Sequence, residues 1–576
     1  MAIFGAANAG RILIAVVLVW LLLILFIGGP LLRRNDSDYS AINGENAELI
    51  LARLSRATSE LSALKAQNEE LRNLLQNYIP LEVQIKKATN VLNDESHGTQ
   101  SIETLKQFEE TRRKLSFNVN ELWHYLRTHF NSSVMNTITE HRNNLLYDIN
   151  FLEKRDFSLK KKELRDLAAL VNKAIKDLQN PKDCSSAKKI VCQLNKGCGF
   201  GCQLHHVAYC LITALATGRT LILNSHQWRY ASSAIRTKKS VNSRWDLVFK
   251  PLSDTCTDDS GSSRGAWRGN DDHMQVIDIP IIDTLRPRPP FLPLAIPEQL
   301  SQKLQTLHGA PIAWFIGQIV RFIMRPSPEL EDYLNKAKAR LKFKTPIVGV
   351  HVRRTDKVGT EASYHTLAEY MQFVEDYYNK LELFNERNGV VKKVERNVYL
   401  ATDEPSIWNS EVKQYEKQGY NFIGDSNIAK TASLSNRYSF DSLKNIILDI
   451  WLLSESDHLV CTFSSQVCRL AYELMQTRGV DNKDLKIDWS DAFISLDDIY
   501  YFGGQSEHNQ IAILSHKAKD KQEIDFKVGD TIGIAGNHWN GFSKGVNRRS
   551  QQNGLYPGFK TIEEVKTAYF KAFDEI

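Results

Sequence analysis

The sequence predicts an α/β protein. A doubly wound, Rossmann-type parallel sheet forms its centre, with a helical coiled-coil stem before it and a small all-β barrel after it. Between Thr345 and Met475, short apolar runs alternate with helical ones, as parallel strands joined by crossover helices require. From Ile50 to Tyr78, apolar residues recur at steps of four and three. From Gln505 onward, the apolar runs shorten to five to eight residues between turn residues.

A chain of 576 residues exceeds one core, so several domains are expected. With 42% hydrophobic and 24% charged residues, the composition is that of a folded protein. The net charge of +6 is mild and does not point to a nucleic-acid binder.

In chain order, Ile12 to Ile27 is an unbroken apolar run, and Arg11 is the sole charge between Ala2 and Leu32. With its flanks the run reaches the roughly 20 residues that span a bilayer. Residues 11–30 read as an uncleaved signal anchor behind a cytoplasmic tail of residues 1–10, because Gly28-Gly29-Pro30 is a poor cleavage site. Arg11 on one side and Arg33 and Arg34 on the other leave the positive-inside rule without a vote. Eight cysteines, all between Cys184 and Cys468, and the sequon Asn131-Ser132-Ser133 both ask for a luminal body.

The heptads from Ile50 to Tyr78 place Asn68 at a core position, the usual register-fixing polar residue. A self-associating helix, and so a homodimer, is expected; an amphipathic helix packed on its own body is the alternative. Pro80 ends the pattern. Residues 81–180 stay polar and mostly helical, for example Glu121 to Phe130 and Lys160 to Leu178, and complete a stem assigned to 31–180.

Cys184, Cys192, Cys198, Cys202, Cys210 and Cys256 follow. Their spacing fits no paired zinc pattern despite His205 and His206, so disulfides are expected, with 105 connectivities open to eight cysteines. Gly197 to Gly201 is glycine-rich, allowing a close backbone approach or a simple turn. Arg219 to Asn224 reads as a strand. Tyr230 either stacks on a base or fills a core. Pro287-Arg288-Pro289-Pro290-Phe291-Leu292-Pro293 reads as a polyproline ligand for an SH3 domain or as a rigid crossing segment.

Pro346 to Val352 is a strand buried on both faces that gives way abruptly to Arg353, Arg354, Asp356, Lys357 and Glu361. Alternation puts His351 and Arg353 on one face, with Val350, Val352 and Arg354 on the other. Arginines at a strand end suit a phosphate, and ligands of open α/β sheets bind at such ends. A helix from Leu367 to Leu383, a strand from Asn397 to Ala401 and a short strand from Asn421 to Gly424 follow. In the helix from Leu443 to Leu453, the lone Asp449 needs a partner, either a structural one or a ligand donor such as guanine N1–H. The strand His458 to Cys461 leads through Ser464 and Ser465 into a helix from Gln466 to Met475, whose amino terminus is an anion cradle. The late strands, Asn509 to Leu514, Thr531 to Ile534 and Leu555 to Phe559, suit an SH3-like barrel over 505–566, with a structural or glycan-binding role in a luminal protein.

NPKDC, NKGCGFGCQLHH, PRPPFLP, HVRRTDKVGTE, VYLATDEPS, CTFSSQVC and SLDDIYYFGGQ, in that order, resemble the Golgi α-1,6-fucosyltransferases of the N-glycan core, glycosyltransferase family 23. Glu404 departs from the family's second adjacent aspartate but keeps the charge. The resemblance implies a GT-B-like catalytic domain over 181–495, with its nucleotide-binding half at about 345–495. It implies inverting, metal-independent transfer of L-fucose from GDP-β-L-fucose to O6 of the Asn-linked GlcNAc. The implied donor set is His351 and Asp449 on guanine and Arg353 and Ser465 on the β-phosphate, with Tyr230, Arg354 and Asp356 beside them. The implied acceptor set is Lys196, Asp283, Lys357, Glu361, Asp497, Asp498, Tyr501, Gln505 and His538. The implied disulfides are Cys184–Cys256, Cys192–Cys210, Cys198–Cys202 and Cys461–Cys468.

For the chemistry, Glu361 is the expected base, held ionised by Lys357, while Arg353 and the helix start at Ser465 stabilise departing GDP. The sugar passes through an oxocarbenium-like state. The D-x-D triplet Asp36-Ser37-Asp38 sits beside the membrane, too far away to hold a catalytic metal. The alternatives are a related fucosyltransferase with a protein or other glycan acceptor, and a non-catalytic glycan-binding adaptor built on the barrel.

Overall fold

The computed structural model describes residues 98–154, 156–231, 244–269, 272–355, 363–432, 437–479, 486–503, 508–537 and 540–574. The expected anchor at 11–30, Asp36-Ser37-Asp38 and the heptads of Ile50 to Tyr78 lie outside the described residues. Among the described residues no helix is long and apolar enough to cross a membrane. The chain divides into two compact units, Met1–Ser101 and Ile102–Ile576.

The helix Gly98–His129 leads into the second unit, followed by Ser132–Glu153, whose start is capped by the Asn131 side chain. The next helix, Phe157–Gln179, carries Leu164, Leu167, Val171 and Ile175 on one face, and that face joins the main core. Lys160 on the same helix is buried and donates to Glu109 at 2.7 Å. At its end, the Gln179 side chain accepts from the Leu221 amide at 2.8 Å. The sequence reading assigned these residues to a stem; the apolar stripe of the third helix is buried in the main core.

Two parallel sheets follow. The first comprises β1 (Lys189–Gln193), β2 (Thr220–Asn224), β3 (Arg264–Ala266) and β4 (Val276–Ile279), in the order β2-β1-β4-β3. The sequence reading identified only its RTLILN strand. The segment β5 (Ala295–Pro297) stands apart and pairs with the end of the chain. The second sheet comprises β6 (Ile347–Val352), β7 (Arg396–Thr402), β8 (Tyr420–Ile423), β9 (His458–Cys461) and β10 (Phe493–Ser495), in the order β10-β9-β6-β7-β8. Every pairing in it is parallel, and β6 is buried along its whole length at the centre. The helices Leu367–Arg387, Phe440–Glu455 and Gln466–Gln476 match the sequence reading to within a few residues.

Three helices meet where the two sheet regions join. Phe200–Thr217 and Pro311–Ile323, buried on nearly every face, both pack on Gln466–Gln476. Glycine permits each close approach: a Cβ at Gly317 would lie 2.2 Å from the Glu473 carbonyl oxygen, and one at Gly201 would lie 2.7 Å from Gln466 Cβ.

The C-terminal part is a five-stranded antiparallel sheet of β11 (Asn509–Ala512), β12 (Thr531–Asn537), β13 (Phe542–Asn547), β14 (Asn553–Pro557) and β15 (Thr561–Glu563). Its small core is Ala512, Ile524, Phe526, Ile532 and Tyr556. β16 (Lys566–Ala568) then runs parallel to β5.

The proline-rich segment lies just before β5. Phe291 and Leu292 are buried, Phe291 meets Phe570 with ring centroids 6.2 Å apart, and the Trp267 indole donates to the Pro287 carbonyl at 3.0 Å. The segment from Pro287 to Pro293 thus has its apolar end in the core, while Pro287 and Pro290 are exposed. The four disulfides join Cys184–Cys256, Cys192–Cys210, Cys198–Cys202 and Cys461–Cys468.

Candidate active site

The carboxyl end of β6 opens into a cavity of about 360 Å³. From β6 comes His351, from just past its end Arg353, and from the end of β7 come Thr402 and Asp403. The helix Phe440–Glu455 contributes Asp449, and the start of Gln466–Gln476 contributes Ser465 and Gln466. From the opposite side come Tyr230 and the start of Phe200–Thr217, from Gly199 to Cys202.

Two helix amino termini therefore face one hollow, and each carries partial positive charge and amide donors not engaged within the helix. A disulfide ties each of them down. Cys198–Cys202 spans the first turn of one helix, and Cys461–Cys468 binds β9 to the first turn of the other. The Tyr230 hydroxyl accepts from the Phe200 amide at 3.0 Å, and its ring meets Tyr438 at 5.0 Å. Tyr230 is thus both buried and at the cavity wall.

Two buried titratable groups mark the inner end. Asp449 accepts the Tyr399 hydroxyl proton at 2.7 Å, and burial pushes its carboxyl up to about 7. Burial pushes the His351 imidazole down to about 4, so it is neutral, and its buried Nδ1 has no hydrogen-bond partner among the described residues. A neutral imidazole with an unused nitrogen and a carboxyl with a spare oxygen suit a ligand carrying both donors and acceptors.

Asp403 organises the mouth. Its carboxylate pairs with the Arg353 guanidinium and accepts from the Arg354 amide at 2.9 Å, the Thr355 amide at 3.0 Å and the Thr355 hydroxyl. Arg354 turns away from the cavity, as strand alternation predicts. It donates to Glu411 at 2.6 Å and to the His365 carbonyl at 2.8 Å, while Glu411 accepts from the Leu367 amide at 2.7 Å. The two arginines, read together as phosphate ligands, are therefore separated: Arg353 lines the hollow, and Arg354 anchors the backbone at His365 and Leu367.

Among the residues expected to hold the acceptor, Lys196 and Asp283 form an ion pair at 3.7 Å. Asp497 accepts from the Ser464 hydroxyl at 2.6 Å and so braces the loop before Ser465. Tyr501 lies beneath the Arg469 guanidinium, 3.8 Å from the ring centroid. Asp498 adopts the left-handed conformation at φ 52°, and burial raises its carboxyl. Asp356, Lys357, Glu361, Gln505 and His538 lie outside the described residues.

Sequence reading missed Tyr399, Asp403 and Gln466. The TDE triplet at the end of a strand was the available signal for Asp403; nothing local marks the other two. Among the described residues one group, Cys192, His206 and Cys210, has metal-ligand spacing. Cys192 and Cys210 are joined as a disulfide, which removes the thiolates a metal would need.

A family model described as alpha-(1,6)-fucosyltransferase N- and catalytic domains matches residues 2–501. An alpha-(1,6)-fucosyltransferase from Drosophila melanogaster is 45% identical over 483 residues, covering 80% of this chain and 74% of that one. One from Caenorhabditis elegans is 37% identical over 580 residues, covering 96% and 98%. Among solved structures, the fucosyltransferase NodZ from Bradyrhizobium is 13% identical at a TM-score of 0.29, covering 50% of this chain and 92% of NodZ.

Proposed function

The chain belongs to the alpha-(1,6)-fucosyltransferase family, and on that premise we propose that its cavity holds GDP-β-L-fucose for transfer of L-fucose to O6 of the Asn-linked core GlcNAc. The chain is a glycosyltransferase. The observation that carries the donor assignment is the meeting of His351, Arg353, Asp449, Ser465 and Tyr230 in one hollow at the end of a parallel sheet.

Guanine occupies the inner end. Its N1–H donates to Asp449, and neutral His351 supplies the complementary hydrogen bond. The diphosphate lies between the two helix amino termini, beside Arg353 and the Ser465 hydroxyl. Their fixed positive potential stabilises the charge that develops on departing GDP, the work a divalent cation performs in other transferases.

Inversion in one step needs a base to take the acceptor O6 proton as that oxygen attacks C1 of fucose. Glu361 is assigned this role, with Lys357 holding it ionised and Asp356 beside it. Asp403 and the Arg354–Glu411 pair support the assignment by securing the backbone at Thr355 on one side and at His365 and Leu367 on the other. The acceptor glycan is assigned to Lys196, Asp283, Asp497, Asp498, Tyr501, Gln505 and His538.

Two parallel sheets flanking one cavity support a GT-B-like arrangement, and the five-stranded antiparallel sheet supports an SH3-like module. Leu115, Leu122 and Leu145, exposed on the first two helices, support self-association through that region. The apolar run at 11–30 and the disulfides support a single-pass type II protein of the Golgi membrane with a luminal body.

The test is incubation of the full chain with GDP-fucose and a core-bearing glycopeptide, followed by mass spectrometry and linkage analysis. One fucose in α-1,6 linkage to the Asn-linked GlcNAc is expected, with equal rates in EDTA. Transfer that requires added Mn²⁺, or fucose on another residue, rejects the proposal.

A further inference from the structure

Gln466 is the first residue of its helix and lines the cavity. The mechanism above does not use it, yet it is held from behind by a buried chain of polar groups. Its Oε1 is hydrogen-bonded to Nδ1 of His205. Nε2 of the same imidazole meets both oxygens of Glu473, at 3.0 and 3.1 Å. Glu473 is fully buried, accepts from the Tyr500 hydroxyl at 2.8 Å and faces Arg469, one turn earlier on its own helix.

The Gln466 oxygen on one ring nitrogen and the Glu473 carboxylate on the other are both acceptors, the arrangement that two ring N–H donors would satisfy. With Oε1 engaged, the Gln466 amide keeps its NH₂ for a second acceptor. If the ring held a proton on Nε2 alone, Nδ1 would accept, the amide would turn end for end, and an oxygen lone pair would face the bound anion. We infer that Glu473, acting through His205, is a positioning residue that sets the polarity of the Gln466 amide, so that its NH₂ faces the donor diphosphate.

The surrounding packing agrees. His205 lies on Phe200–Thr217 and Glu473 on Gln466–Gln476, so the link joins the two helices whose amino termini face the hollow. Gly201 leaves the space Gln466 occupies, since a Cβ there would approach Gln466 Cβ to 2.7 Å.

The inference rests on the reading that this cavity binds the donor diphosphate, and the experiment separates the two. GDP affinity, donor KM and kcat are measured on the full chain for Glu473→Gln, Gln466→Ala, their double variant and Arg353→Ala. Glu473→Gln and Gln466→Ala are each expected to raise the GDP Kd and donor KM about 10-fold, the loss of one hydrogen bond to a charged group, with kcat little changed. The double variant is expected to match Gln466→Ala, because Glu473 acts only through that amide. Because Glu473 is buried, thermal melting accompanies the kinetics. His205→Gln serves as a second break in the same chain, with the same 10-fold expectation and the same suppression by Gln466→Ala. Additive effects in the double variants, or unchanged GDP affinity in Glu473→Gln and His205→Gln while Arg353→Ala weakens it, overturn the inference and leave the donor cavity standing. Unchanged GDP affinity in Arg353→Ala overturns the cavity assignment itself.

Discussion

Tyr399 on β7 donates its hydroxyl proton to Asp449 on the helix Phe440–Glu455 at 2.7 Å, with both side chains buried. The partner that a lone carboxylate in an apolar helix demanded is therefore a neighbouring strand's phenol.

Asp449 should make nucleotide binding pH-dependent. Burial raises its carboxyl to about 7, so the folded protein keeps a proton that the unfolded chain has already released. Stability without ligand then falls as pH rises from the ordinary carboxylate range to about 7. On the proposed assignment guanine N1–H donates to the ionised form, so GDP affinity rises over the same window. Calorimetry with GDP from about pH 5 to about pH 8 should show this rise in the wild type. Asp449→Asn should bind more weakly and without the slope, and Tyr399→Phe should move the midpoint upward. A flat wild-type profile would refute the assignment.

Asp403→Asn should weaken stability and activity together. The carboxylate pairs with Arg353 and accepts two backbone amides and the Thr355 hydroxyl. The pair is partly buried, and loss of hydrogen bonds to a charged group costs about 1.5–3 kcal/mol. Denaturant titration of the full chain measures the loss; a variant of unchanged stability would show that Asp403 is not the organising group.

Arg353 and Arg354 should separate in kinetics although they are adjacent. Arg353→Ala should raise the GDP Kd by about 10-fold or more, since one charge-assisted contact is lost. Arg354→Lys keeps the charge but loses the fork that reaches Glu411 and the His365 carbonyl together, so kcat should fall with little change in GDP affinity. Equal effects of both variants on GDP affinity would contradict the separation.

Gly317→Ala should destabilise the body by about 1–3 kcal/mol through overpacking. An added Cβ would lie 2.2 Å from the Glu473 carbonyl oxygen, a backbone atom that no rotamer change can move. A melting temperature equal to that of the wild type would mean the two helices separate freely.

Strands β6 to β9 and the helices Leu367–Arg387, Phe440–Glu455 and Gln466–Gln476 were legible because each writes its own period into consecutive residues, and burial of β6 on both faces shows as an unbroken apolar run. The same alternation sorted His351 and Arg353 from Arg354. Helix Phe157–Gln179 showed its apolar stripe but not what covers it, and the proline-rich segment did not show that Phe291 and Leu292 join the core. Strands β1, β3 and β4 were missed because they are short and separated by loops without regular pattern. What the fold alone decided are the pairings between distant residues: Tyr399 with Asp449, Arg353 with Asp403, and Glu473 through His205 with Gln466. A hydrogen bond between groups far apart along the chain leaves no periodic trace. It arises only where packing brings a donor and an acceptor together away from water, where leaving either unpaired is costly.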